Sequence, residues 1–282
     1  MEQYALITGA TSGLGLAYAR RFAQEGYNLI ITGRRKEIIE KRAGEIRAAY
    51  GCRTEVILVD LAQEAGVRTL LEALPGKNID VLVNNAGFGL RTEFADTDID
   101  DLKRLIFLET TAVTEITHYV LAGMKERGTG RIINISSDGA FAVVPKNVIY
   151  ASVKRFLVTL TQGLHLELAG SGIRVQVVCP GFIDTDFHES AGMHVDKARK
   201  GIFAFQKPED VVEAAMKDLA KGRVCCIPDR GGKLIKALGE YLPEKAYYRF
   251  AGGFVKKAVN ISPGCWSVKF VCDKIKKITG KQ

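Results

Sequence analysis

Short apolar segments alternate with longer amphipathic segments along this chain, and no other feature of the sequence constrains its fold as strongly. We predict strands at residues 4–8, 29–32, 55–59, 81–83, 131–135, 174–179 and 224–227. Helices are predicted between them at 14–25, 36–50, 63–74, 98–127, 148–169 and 208–221. Continuously apolar strands that alternate with such helices indicate a parallel sheet covered on both faces. The predicted fold class is therefore α/β, a doubly wound sheet with its ligand crevice at the carboxyl ends of the strands.

Charge is distributed unevenly along the 282 residues, whose formal net charge is +8. From Arg230 onward there are twelve Lys and Arg residues against three Asp and Glu residues, so this part carries +9 and the preceding part −1. One α/β domain of this kind fits within roughly 230 residues. We therefore predict a domain over 1–229 and a basic, amphipathic C-terminal helical extension over 230–282.

The remaining composition argues for a reduced, intracellular protein. Its six cysteines form neither a CxxC pair nor a zinc-binding spacing, and its four histidines are scattered, so we expect no metal site. The first predicted strand leaves no room for a cleavable leader, and no apolar run reaches the length of about 18 residues that a membrane span needs. We expect a cytoplasmic location, with a peripheral membrane contact left open by the basic extension.

A glycine-rich turn joins the first predicted strand to the first predicted helix. Its residues are Thr8, Gly9, Ser12, Gly13, Leu14 and Gly15, in the spacing TGxxxGxG. Glycine allows positive φ angles and a close approach of the backbone to a ligand. Because the free N–H groups at a helix start attract anions, the turn predicts binding of a nucleotide pyrophosphate.

Two further motifs follow predicted strands in the same order along the chain. Asn84-Asn85-Ala86-Gly87 follows the fourth strand, and Tyr150-Ala151-Ser152-Val153-Lys154 lies in the helix after the fifth. With the glycine turn, they make residues 4–228 resemble the classical short-chain dehydrogenase/reductase family. The resemblance implies a single Rossmann-type domain, reversible hydride transfer between a nicotinamide and a carbonyl or alcohol carbon of a small molecule, and a homodimer or homotetramer.

The end of the second predicted strand indicates which nicotinamide cofactor binds. NAD-binding folds usually carry an acidic residue there for the ribose 2′-hydroxyl, but this chain has Gly33 followed by Arg34 and Arg35. A guanidinium group suits a 2′-phosphate, although two arginines at a helix start can also be plain solvated surface. The missing acid favours NADP(H).

The resemblance extends the cofactor site beyond the glycine turn and the two arginines. It implies that Asp60 contacts the adenine amino group, and that Thr185 and the Ile183 backbone lie near the carboxamide. The other residues that it adds are Leu61, Asn84, Ala86, Gly87, Tyr150, Lys154, Pro180 and Gly181.

Catalytic residues are predicted from spacing. Tyr150 and Lys154 share one helix face, and a nearby ammonium lowers the tyrosine pKa from about 10. The chain also contains Tyr241…Lys245, but the resemblance also implies a serine thirteen residues before the catalytic tyrosine, and only Tyr150 has one, Ser137. The resemblance implies that Tyr150 exchanges the proton, Lys154 tunes Tyr150 and holds the ribose, and Ser137 hydrogen-bonds the substrate oxygen.

Glu109 departs from the family pattern, because it aligns with an asparagine that completes a proton relay to the lysine. A carboxylate there would pair with Lys154 and weaken its effect on Tyr150; it could also be protonated or hold the relay water. We expect retuned catalysis. The alternative function is a catalytically weakened NADPH-binding sensor or interaction module, which replacing Tyr150 by Phe would distinguish from an enzyme.

Two segments of the chain leave alternatives open. Residues 186–205 lack periodicity and are typical of a mobile substrate lid; Phe182, Phe187, Met193, Ile202 and Phe203 indicate either an apolar substrate or ordinary packing. In the tail, Val268, Val271, Ile275 and Ile278 form a stripe beside lysines. That stripe either packs on the body or a second subunit, or contacts anionic lipid. No nucleic-acid recognition motif accompanies the basic residues.

Overall fold

Parallel strands and helices alternate through the structure, a computed structural model that describes residues 2–90, 92–143, 145–185, 201–249 and 251. The seven strands are β1 (Gln3–Ile7), β2 (Asn28–Gly33), β3 (Thr54–Leu58), β4 (Asn78–Asn84), β5 (Gly130–Ile135), β6 (Ile173–Val178) and β7 (Cys225–Cys226). The helices are α1 (Gly13–Gln24), α2 (Lys36–Tyr50), α3 (Glu64–Glu72), α4 (Ile99–Ile106), α5 (Val113–Arg127), α6 (Val148–Glu167), α7 (Pro208–Ala220) and α8 (Arg230–Tyr241).

The strands form one parallel sheet in the order β3-β2-β1-β4-β5-β6-β7. The order reverses between β1 and β4, so that the crevice at the carboxyl ends of these strands lies between the glycine turn after β1 and the Asn84–Gly87 motif after β4. The predicted fold class, a Rossmann-type doubly wound sheet, is confirmed.

Two apolar cores sandwich the sheet, because successive strand residues point to opposite faces. In β1, Ala5 and Ile7 face the core that α1, α2 and α7 cover. Tyr4 and Leu6 face the second core, which packs against α3 and α5. Burial on both faces explains why the strands are apolar throughout instead of alternating with polar residues.

The structure corrects the predicted helix over 98–127. Its backbone is α-helical only up to Ile106 and again from Val113, and the six residues Phe107–Ala112 between them form a π-helix. The periodicity of apolar residues cannot reveal one extra residue per turn over so short a stretch. The π-helical segment carries Glu109 and buries it.

Helix α8 was not predicted as a distinct element, and it packs on the catalytic side of the fold. A Cβ at Gly239 would collide with the carbonyl oxygen of Phe141. At Gly231 it would lie 2.6 Å from the ring of Phe203. The predicted domain boundary after Asp229 stays a prediction, and the tail after residue 251 lies outside the described residues. No helix among the described residues has the length and apolarity that crossing a membrane requires.

Candidate active site

The glycine turn after β1 is tightly packed against its neighbours. Gly9 and Gly13 have φ angles of +69° and +57°, in the left-handed region that favours glycine. A Cβ at Gly15 would collide with the carbonyl oxygen of Gly9, and one at Gly9 would lie 2.8 Å from the Cα of Ala86. Ser12 is the N-cap residue of α1, and Leu14 is buried behind it. The turn therefore exposes the N-terminus of α1 to the crevice.

Asn85 holds this turn in place, a role that the sequence analysis missed. Its side-chain amide donates to the carbonyl oxygens of Thr8 and Gly9, at 2.9 Å each. The hydroxyl of Thr8 in turn accepts from the backbone N–H groups of Asn85 and Ala86. The only sequence signal was the proximity of the two motifs at neighbouring strand ends.

The side chain of Asn84, which belongs to the predicted cofactor set, takes part in a buried hydrogen-bond network. It is 4% exposed and donates to Thr117 on α5 and to Asn134 on β5. Asn134 continues the chain of hydrogen bonds to Thr161 on α6. This buried network ties the sheet to two helices, and a cofactor contact of Asn84 stays a prediction.

Positive charge gathers at the ends of β2 and β3. The guanidinium group of Arg35 donates to the hydroxyl of Thr11 at 3.1 Å, so Arg35 is held beside the glycine turn. Arg34 lies 4.0 Å from Asp60, whose carboxylate also accepts a hydrogen bond of 3.3 Å from Arg104 on α4. Leu61, which follows Asp60, is buried. Arg104 is an arginine at this edge that the sequence analysis did not single out.

The turn after β6 lies against the glycine turn. A Cβ at Gly13 would lie 2.9 Å from the methyl group of Thr185, which shows how close the two turns come. Ile183 pairs with Gln206, and the rings of Phe182 and Phe205 lie 5.6 Å apart. Pro180 accepts a backbone hydrogen bond from Asp138. Of the predicted lid, Phe187 and Met193 lie outside the described residues.

The carboxyl end of β5 brings together the three predicted catalytic side chains. Ser137 follows the strand and shares a hydrogen bond with the hydroxyl of Tyr150. The ammonium of Lys154 lies 5.6 Å from the centre of the Tyr150 ring and donates to the carbonyl oxygen of Ile135. Ser136, which the sequence analysis missed, donates to the carbonyl oxygen of Lys154 and so fixes α6 against β5.

Glu109 forms a buried ion pair with Lys154. The Nζ atom lies 2.8 Å from both carboxylate oxygens, and the two residues are 1% and 4% exposed. Burial raises the pKa of Glu109, and the ammonium of Lys154 opposes that rise. A Cβ at Gly87 would collide with Oε1 of Glu109 and approach Nζ, so the glycine of the Asn84–Gly87 motif leaves room for this pair.

The electrostatics of Tyr150 run opposite to the prediction from spacing. Burial raises the pKa of its hydroxyl well above the usual value, and the carboxylates of Glu109 and Asp138 raise it further. The hydrogen bond between Tyr150 and Ser137 acts in the other direction. The ammonium of Lys154 is paired with Glu109, and the pKa of Tyr150 is raised instead of lowered.

Comparison with known proteins decides the family. The family model described as short chain dehydrogenase matches residues 3–195, which is more than half of the chain. The protein belongs to the short-chain dehydrogenase family. A very-long-chain 3-oxoacyl-CoA reductase from Bos taurus is 31% identical over 256 residues, 89% of this chain and 79% of that protein.

Two solved structures support the same assignment over most of this short-chain dehydrogenase. A short-chain dehydrogenase from Sphingobium yanoikuyae in complex with NADPH aligns with a TM-score of 0.75 and 29% identity, covering 95% of this chain and 99% of that one. A 7beta-hydroxysteroid dehydrogenase aligns with a TM-score of 0.80 and 26% identity, covering 89% and 96%. The protein is thus an oxidoreductase of a family that uses nicotinamide cofactors.

Proposed function

We propose that this short-chain dehydrogenase is an NADP(H)-dependent reductase that delivers hydride to the carbonyl carbon of an apolar ketone, steroid-like or acyl substrate. The observation that carries the proposal is the meeting of Ser137, Tyr150 and Lys154 at the carboxyl end of β5. This group lies in the same crevice as the glycine turn, as hydride transfer to a bound substrate requires.

The residues around the crevice fit a dinucleotide. Gly9, Gly13 and Gly15 leave space where any side chain would intrude, and the N-terminus of α1 would receive the pyrophosphate. Gly33 occupies the position where NAD-binding folds carry an acidic residue, which would repel a 2′-phosphate. Arg34 and Arg35 would bind that phosphate. When bound, the nicotinamide supplies the hydride.

The side chains at the end of β5 would handle the proton and the substrate oxygen. Ser137 would donate a hydrogen bond to the carbonyl oxygen and polarise it. Tyr150 would give that oxygen a proton as the alcohol forms. In the reverse reaction the same hydroxyl, as a phenolate, would accept the proton.

Apolar side chains near the turn after β6 support an apolar substrate. Phe182 and Phe205 are in contact, and Phe203 lies against α8. The names of two relatives, a 3-oxoacyl-CoA reductase and a hydroxysteroid dehydrogenase, refer to acyl and steroid substrates. A homodimer or homotetramer is part of the proposal, supported by the exposed apolar side chains of Phe156 and Leu166 on α6. The complete Ser137–Tyr150–Lys154 group favours an enzyme over an NADPH-sensing module.

The test is cofactor oxidation by the purified protein with a panel of apolar ketones, aldehydes and acyl thioesters. We expect turnover with NADPH in preference to NADH, and a loss of at least about 100-fold in Tyr150→Phe, since general acid catalysis contributes roughly that much. Tyr241→Phe, in the second YxxxK sequence, is the matched control and should keep its activity. Tight NADPH binding without turnover on any substrate would favour the sensing module instead.

A further inference from the structure

Two carboxyl groups meet behind the catalytic serine, and the mechanism above does not use them. Asp138 directly follows Ser137, and Asp229 is the N-cap residue of α8. A Cβ at Gly181 would lie 3.2 Å from Oδ2 of Asp138 and equally far from Oδ2 of Asp229. A Cβ at Gly232 would also lie between them. The two carboxyl groups therefore converge on the turn that follows β6.

Each member of the pair contacts a different part of the active site. Oδ1 of Asp138 accepts a hydrogen bond of 3.2 Å from the hydroxyl of Ser137. Asp229 accepts from the backbone N–H of Gly181, at 3.2 Å, and from that of Gly232. Asp138 thus contacts the catalytic serine, while Asp229 joins the turn after β6 to the start of α8.

A negative charge on Asp229 makes ionisation of the nearby Asp138 less favourable. Burial, and then the negative charge of Asp229, raise the pKa of Asp138 to about 7. The hydroxyl of Tyr150 on α6 and the thiol of Cys179 after β6 also face Asp138. The cations on the neighbouring helices, Arg155 and Lys236, lie over the ring of Phe141 in the same turn.

We propose that the protonation of Asp138 sets the direction in which the Ser137 hydroxyl donates its hydrogen bond, and that the negative charge of Asp229 helps to set that protonation. This proposal rests on the proposed function, because the substrate oxygen is the alternative acceptor. When Asp138 is ionised, it competes for the proton of Ser137. When Asp138 is protonated, it accepts that proton more weakly, and Ser137 is free to polarise the carbonyl group. Both aspartates are positioning residues that act through Ser137.

The consequence is a reductase whose activity falls as the pH rises through neutrality. Tyr150 is still protonated in that range because its own pKa is raised far above it. The thiol of Cys225, whose pKa is lowered to about 7 by its hydrogen bond with Cys179, also titrates there, so the Asp138→Asn variant is needed to assign the fall. If the ionised form of Asp138 were inactive, kcat/KM for carbonyl reduction would decline about tenfold per pH unit above its pKa.

The pH profile of kcat/KM for NADPH-linked ketone reduction tests this inference. In Asp138→Asn the fall across neutral pH should disappear. In Asp229→Asn, which retains a capping side chain, the fall should move to lower pH, because a like charge next to Asp138 is removed. Asp210→Asn, an exposed carboxylate on α7, is the matched control and should keep the original profile. A neutral-pH fall that persists in Asp138→Asn, or one that does not move in Asp229→Asn, would overturn the proposal.

A direct titration separates this proposal from the reductase itself. Carbon-13 NMR of protein labelled at the aspartate carboxyl carbons should contain one signal that titrates near neutral pH and is missing in Asp138→Asn. That signal is expected whether or not any substrate turns over. If turnover fails and the signal is present, the proposed function is wrong and the titration of Asp138 near neutral pH stands. If no such signal exists, that titration, and with it the control of Ser137 by Asp138, is refuted even in an active enzyme.

Discussion

At the scale of single residues, Glu109 determines where the charge of Lys154 acts. Its carboxylate lies 2.8 Å from the ammonium in a site that is almost closed to solvent, so the attraction is only weakly screened. The same carboxylate raises the pKa of Tyr150. Glu109 therefore opposes the effect that the charge of Lys154 alone would have on the tyrosine.

Replacing Glu109 by Gln should shift the pH dependence of the reverse reaction. Alcohol oxidation needs the phenolate of Tyr150, so its rate rises as the pH approaches the pKa of that tyrosine. Removing the negative charge lowers that pKa, and the rising limb of oxidation should move to lower pH. The measurement is the initial rate of alcohol oxidation with NADP⁺ as a function of pH.

The same substitution should also destabilise the fold, by on the order of 3 kcal/mol, because it leaves the ammonium of Lys154 buried without a counter-charge. Thermal unfolding at neutral pH measures this loss. Glu126→Gln, an exposed carboxylate on α5, is the control and should change neither quantity. An oxidation profile that does not move in Glu109→Gln would contradict the electrostatic role given to Glu109.

Local spacing, together with the resemblance to the family, was enough to predict the catalytic residues at the carboxyl end of β5. Ser137, Tyr150 and Lys154 could be found because a strand end and one helix face place them together. Asn85 and Asp229 could not, since their partners are 77 and 48 residues away in the chain. A long-range hydrogen bond between polar residues leaves no periodic signal, and the direction of the Tyr150 pKa shift depended on burial that spacing does not reveal.

At the scale of elements, the segments that were hardest to predict lie next to the catalytic residues. The bounds of the strands and of most helices were predicted within a few residues, because apolar residues recur regularly along the whole of each element. The π-helical segment Phe107–Ala112 and helix α8 were not. In α8, contact with the body runs partly through Gly231 and Gly239, which carry no apolar signal for a periodicity analysis.

Two helical glycines should respond in opposite ways to replacement by alanine. Gly44 on α2 is exposed, and a Cβ there would meet no heavy atom within 4 Å. Gly44→Ala should stabilise the protein by about 0.5–1 kcal/mol, since glycine loses more backbone entropy in a helix. Gly15→Ala should abolish NADPH binding, because its Cβ would collide with the glycine turn. Urea unfolding measures the stability of Gly44→Ala, and NADPH fluorescence titration measures cofactor binding by Gly15→Ala. If both variants bound NADPH equally well, the packing described for the turn would be contradicted.

At the scale of the whole molecule, the charge is divided between a nearly neutral part, residues 1–229, and a basic part from Arg230 onward, which includes helix α8. The residues from Arg230 onward carry +9, whereas the rest carry −1. A Lys or Arg side chain near an anionic membrane surface contributes about 1 kcal/mol of attraction, so several together can hold a protein at that surface. The two interpretations of the apolar stripe, lipid contact or packing on protein, thus predict different behaviour of one shortened chain.

Removal of residues 262–282 should abolish any binding of the protein to vesicles of anionic lipid. The deletion takes away the stripe of Val268, Val271, Ile275 and Ile278 together with the lysines beside it. Cosedimentation with phosphatidylserine vesicles, compared with neutral phosphatidylcholine vesicles, measures the loss, and added salt should weaken the binding of the full chain. Unchanged sedimentation of the shortened chain would refute lipid contact through this stripe. If the stripe instead packs on the body or a second subunit, the shortened chain should melt at a lower temperature or change its oligomeric mass.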